Sequence, residues 1–75
     1  MNKVTFHEEY VTLNQFLKIA GIVMTGGHGK AMILNGEVYV NGEQELRRGK
    51  KIRSGDIVTV QGMQESWEAV REQNI

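Results

Sequence analysis

The sequence predicts a small α+β domain in which two helices pack on a short, mostly antiparallel sheet. Three observations carry this. Apolar residues recur at helical spacing most fully between positions 12 and 36. Beyond them, an alternating stretch runs into Asn41-Gly42, the strongest short-range hairpin signal. With 75 residues the chain suffices for one domain, whose thin core buries only about 60% of the unfolded surface. Helices grouped apart from strands, rather than alternating with them, define the α+β class.

Taken in order, VTFH at 4–7 alternates with Val4 and Phe6 on one face and reads as a strand. Leu13, Phe16, Leu17 and Ala20 then follow at i, i+3, i+4 and i+7, so a helix is expected over 12–20. Thr12 and Gln15 have the spacing of a capping box, and Gly21 suits the position just past the C-terminus. Lys18 points off the apolar face. A second helix is expected over 25–36, capped by Thr25, ended by Gly36, with Met32, Ile33 and Gly29 toward the core. Its first turn contains Gly26, Gly27 and Gly29, each interior glycine costing about 1 kcal/mol against alanine. Such a run suits a place where backbone is exposed or closely approached. VYVNGE at 38–43 reads as a strand entering the Asn41-Gly42 turn, with Leu46 on the returning side. Gly49 centres a turn, SGD at 54–56 makes another, and IVTV at 57–60 is a closing strand. The tail, 64–75, is expected to form one short helix with Trp67 and Val70 on one side.

The formal net charge is zero, but its distribution is uneven. Residues 10–53 hold seven bases against three acids, a surplus of four positive charges, which the flanks balance with six acids against two bases. Five of the nine Lys and Arg residues lie in RRGKKIR at 47–53: Arg47, Arg48, Lys50, Lys51 and Arg53, with no acid among them. Phosphate responds to this local field rather than to the sum over the chain, and clustered Lys/Arg is the electrostatic footprint of nucleic-acid binding. A second anion-binding candidate is TGGHGK at 25–30. Thr25, Gly26, Gly27 and His28 open a helix whose N–H groups and dipole favour a phosphate, with Lys30 one turn in. No Gly-Lys-Ser/Thr follows at P-loop spacing.

Other chemistry is not indicated. The chain has no cysteine, which removes disulfides and thiolate metal sites and favours a reducing cytoplasm. No stretch is long and apolar enough to span a bilayer, so no membrane partner is expected. His7 and His28 lack ligand-like spacing, and no metal or cofactor is expected. Asp56 reads as a turn residue bonding local backbone, Tyr39 as a solvent-facing strand residue, and Trp67 as packing for the tail. Nothing resembles a catalytic constellation.

Together the pieces FLKIAGIVMTGG, GKAMILNGEVYVNGE and KIRSGDIVTV, in that order and spacing, resemble the S4-type RNA-binding domain, or αL motif. The most specific part is Gly36 to Gly42 with Gly55-Asp56 beyond it. The resemblance covers roughly residues 11–61, the expected core of a single S4-like domain over 1–75. Within the family, Thr25 to Lys30 is most similar to small stand-alone bacterial members. Most S4-type domains carry Ser-Arg-Ser here, with the Arg on RNA; Gly26 stands in its place, leaving the contact to backbone N–H groups or Lys30. The resemblance implies a non-catalytic, cytoplasmic, monomeric RNA-binding module for ribosomal RNA, an assembling or stalled ribosome, or tRNA. Lys18, Lys30 and the 47–53 loop would form one basic surface holding the backbone of structured RNA. Two other readings stand beside it: a DNA-binding helix-turn-helix, and a protein adaptor working through Trp67 and Val70 of the tail.

Overall fold

Thr12 Oγ1 accepts from the Gln15 N–H at 3.2 Å while Gln15 Oε1 accepts from the Thr12 N–H at 2.9 Å, so the expected capping box is formed. It starts helix α1, Leu13–Ile19, which buries Leu13, Phe16 and Leu17; the chain leaves it through Gly21 at φ 76°. Thr25 caps helix α2, Gly26–Leu34, by accepting from the His28 N–H at 3.1 Å. Gly36, at φ 77°, turns the chain out of α2. The structure, a computed structural model, describes residues 1–73.

The helices lie against two sheets. The larger has five strands: β1 (Asn2–Phe6), β3 (Val38–Val40), β4 (Glu43–Gln44), β6 (Ile57–Val60) and β7 (Ser66–Arg71), in the spatial order β1-β7-β6-β3-β4. Only β1 and β7 run parallel; the other pairs are antiparallel. The β3–β4 hairpin closes through Asn41 at φ 51° and Gly42 at φ 85°, the two positive angles of a type I′ turn. Leu46 lies beyond β4 and is half exposed, so the returning strand is shorter than expected. The smaller sheet pairs β2 (Val11–Thr12) with β5 (Lys51–Ile52), two strands too short to be expected from periodicity. Asp56 is the turn residue anticipated: Oδ2 accepts from the Arg53 N–H at 2.8 Å and Oδ1 from Asn41 Nδ2 at 3.0 Å.

The tail corrects an expectation. Residues 66–71 form strand β7 rather than a helix, inserted between β1 and β6; Asn74 and Ile75, the end of the expected 64–75 helix, lie outside the described residues. On a strand, side chains two apart share a face. Trp67 and Ala69 therefore enter the core together while Val70 points to the other side. Strand pairing satisfies the tail's backbone and buries Trp67 in one step, which a short isolated helix does not achieve. The core consequently extends past 11–61. Val4 and Phe6 of β1 and Trp67 and Ala69 of β7 join Phe16, Leu17 and Ile33 from the helices and Val38, Ile52 and Val58 from the strands.

Candidate nucleic-acid interface

The first turn of α1 has N–H groups without helical partners, and the basic loop fills them. Leu13 N–H donates to the Lys50 carbonyl at 2.8 Å and Asn14 N–H to the Arg48 carbonyl at 3.1 Å. Gly49 lies between these anchors, where Lys50 N–H closes a turn onto the Arg47 carbonyl at 3.2 Å. The loop backbone is thus pinned to α1, and its side chains are directed outward: Arg47, Arg48, Lys51 and Arg53 are exposed and Lys50 is half-buried. Arg47, Gly49, Lys50 and Lys51 line a shallow groove of about 460 Å³ with no acidic wall.

Asn14 also joins this loop to the glycine-rich turn. Its Nδ2 donates to the Gly26 carbonyl at 3.2 Å, and its Oδ1 rests against Gly29, where a Cβ would collide with it. That gives the third glycine a packing role: a side chain at 29 would have to displace the Asn14 amide. Gly26 and Gly27 have different roles. Among the described residues their N–H groups meet no protein acceptor, and a Cβ on Gly27 would touch nothing. The N-terminus of α2 is open where that of α1 is occupied.

The five bases of the loop are not equivalent. Glu45 folds back onto Arg47, accepting from Nε at 3.0 Å, from Nη2 at 3.2 Å and from the backbone N–H at 3.0 Å. The hydrogen bond from the Arg47 side chain, chiefly, holds the Glu45 carboxyl below its usual range. Arg53 faces Glu9 at 3.6 Å. Among the described residues, Arg48, Lys50 and Lys51 have no carboxylate partner. Lys51 Nζ and Arg53 Cζ instead sit 4.9 and 5.2 Å from the centre of the Tyr10 ring.

The structure therefore brings the 47–50 segment and Thr25 to Gly29 together through Asn14. Lys30 and His28 are exposed on α2, and Lys18 is exposed on α1 one turn beyond Asn14, beside Tyr10. Asn14, Tyr10 and the Glu9 partner of Arg53 carry no signal in sequence, because the β2–β5 pairing and the helix contact create their positions, whereas the Glu45–Arg47 pair is local, two residues apart. Tyr39 is half-buried on β3, and Trp67, only 6% exposed, is unavailable as an adaptor surface. Among the described residues no three His, Asp or Glu side chains converge to hold a metal ion, and no helix is long and apolar enough to cross a membrane.

A helix pair whose N-termini meet a basic loop on a small mixed sheet defines an S4-type domain, the RNA-binding class the sequence resembles. The S4 domain family model matches residues 4–66, and the chain belongs to that family. Among its relatives is a Bacillus subtilis protein described as a probable ribosome maturation protein, RlbA, 41% identical over 61 residues that cover 81% of this chain and 86% of that protein. The fold is also similar to that of the 30S ribosomal protein S4e from Thermoplasma acidophilum. The TM-score is 0.59 at 20% identity, over 81% of this chain and 31% of that one.

Proposed function

We propose that this chain is a non-catalytic RNA-binding module that acts in the cytoplasm as a monomer, without cofactor, and holds the phosphate backbone of structured RNA. Ribosomal RNA is the first target to test, since the Bacillus subtilis relative is described as a ribosome maturation protein. The observation that carries the reading is the convergence at Asn14. One side chain and its own N–H fix an acid-free cationic groove and an open helix N-terminus side by side. Phosphates in the groove would release counterions, and a phosphate at Gly26 and Gly27 would accept their N–H groups. Lys18, Lys30 and His28, exposed on the same two helices, would add to this surface. Base-reading helix-turn-helix proteins place side chains at the start of their second helix; glycines there favour backbone and shape recognition instead. Titration with a labelled, structured ribosomal RNA fragment and with duplex DNA of equal length tests this. RNA should bind tighter at matched salt, and equal or tighter DNA binding would overturn the reading.

A further inference from the structure

We propose that the groove between Tyr10 and the outer face of α1 is a subsite for a single unpaired nucleobase, with Tyr10 as its stacking surface. The inference rests on the RNA-binding reading above. The groove encloses about 590 Å³ and is lined by Tyr10, Val11, Gln15, Lys18 and Ile19, with Glu8 and Glu9 also on its walls. That volume lies within the range of about 300–1,000 Å³ usual for small-ligand sites. Ile19 is 50% exposed and Tyr10 37%, so apolar surface stands open to water at the border of a charged region.

Two cations of the basic loop's outgoing arm, Lys51 and Arg53, lie over the Tyr10 ring at 4.9 and 5.2 Å. Tyr10 itself lines the groove, and neither of these two cations does. Cationic phosphate partners at an aromatic ring that also borders a partly apolar cleft match the two halves of a splayed-out nucleotide. Its phosphate meets Lys51 and Arg53 and its base enters the cleft, as single-stranded RNA does on aromatic platforms. The carboxylates sort the two halves. They repel a phosphate from the cleft yet can accept hydrogen bonds from base amino groups; one Glu8 oxygen already accepts from the His7 N–H at 3.1 Å, and Glu9 faces Arg53 at 3.6 Å. Lys51 both lines the cationic groove and lies 4.9 Å from the centre of the Tyr10 ring, which borders this cleft, so the two are neighbours.

The test compares two RNA hairpins that differ by one bulged guanosine in the stem. The wild-type protein should bind the bulged hairpin about tenfold tighter, the scale of one base stacked on an aromatic ring. Tyr10→Leu should bring the ratio of the two affinities to about one, while Tyr10→Phe and Tyr10→Trp keep the tenfold preference for the bulged hairpin. Equal wild-type affinity for the two hairpins, or a gain that survives in Tyr10→Leu, overturns the subsite. Binding of the paired hairpin separates the two claims. If it binds without a bulge preference, the groove proposal falls alone; if neither hairpin binds, the RNA-binding reading falls with it.

Discussion

Asn14 directs its side-chain donor to the Gly26 carbonyl and its backbone N–H to the Arg48 carbonyl, while its Oδ1 is packed against Gly29 without a hydrogen-bond partner among the described residues. A Cβ at 29 would displace this oxygen and crowd Val23, so glycine there leaves the Asn14 amide its place. Gly29→Ala should therefore destabilise the protein by about 1–3 kcal/mol, an overpacking cost, and lower the Tm by roughly 4 °C or more. Gly27→Ala should have the opposite sign. Its new methyl meets no atom, and alanine is favoured over glycine in a helix by up to about 1 kcal/mol. Thermal melts of the two variants check the pair: two glycines two positions apart should shift the Tm in opposite directions. A like-signed shift would mean that Asn14 moves aside freely and does not set the helix spacing.

The elements differ in how much of their origin is local. Both helices were legible because caps and apolar spacing act within a few residues: Thr12 with Gln15, Thr25 with His28, and the glycines at 21 and 36 that end them. The Asn41-Gly42 hairpin was legible for the same reason. The β2–β5 ladder was not, since two residues carry no period and Val11 meets Ile52 only after the chain has turned through both helices. The tail misled because Trp67 and Val70 fall at i, i+3, which imitates a helix face; parallel register with β1, Asn2 opposite Trp67, decides for strand. In the candidate interface, the charges of 47–53 and the glycines of 25–30 were readable, whereas Asn14 and Tyr10 gain their roles only through non-local pairing. The position of β7 has a consequence for truncation. A chain ending at Gly62 loses the strand between β1 and β6, leaving β1 unpaired. Losing Trp67 alone is comparable to other buried aromatic deletions, about 3–5 kcal/mol. A domain of this size has in total only about 4–11 kcal/mol at 0.05–0.15 per residue. The truncated protein should be unfolded by circular dichroism, and Trp67 emission in the intact protein should be blue-shifted. A folded, cooperative truncation would show that β7 is dispensable to the sheet.

Across the whole molecule, pairing β1 with β7 gathers both acidic flanks of the sequence: Asn2 Nδ2 donates to Glu65 Oε2 at 2.9 Å, and Glu72 N–H donates to the Phe6 carbonyl at 2.8 Å. Five of the nine bases stay in the 47–53 loop, where Glu45 and the flank residue Glu9 engage Arg47 and Arg53 and leave the other three without a carboxylate partner among the described residues. A neutral protein can then bind polyanions through one face, and its affinity should fall with salt as each neutralised phosphate releases its counterion. The loop's internal pairing makes this quantitative. Among the described residues Arg48, Lys50 and Lys51 have no carboxylate to leave, whereas Arg47 must exchange Glu45 for a phosphate and gains correspondingly less. Replacing Arg48, Lys50 and Lys51 together by alanine should flatten the plot of log K against log salt by about two to three units, at roughly 0.7–0.9 per phosphate contact. Arg47→Ala should change the slope by well under one. The drop should be similar for RNAs of different sequence, because phosphate contacts position the RNA without reading its bases. Affinities measured between 50 and 200 mM salt decide the matter. A slope that the triple replacement leaves unchanged would mean that the loop does not meet phosphate, and an Arg47→Ala effect as large as that of the three free bases would mean that the Glu45 pair opens at no cost.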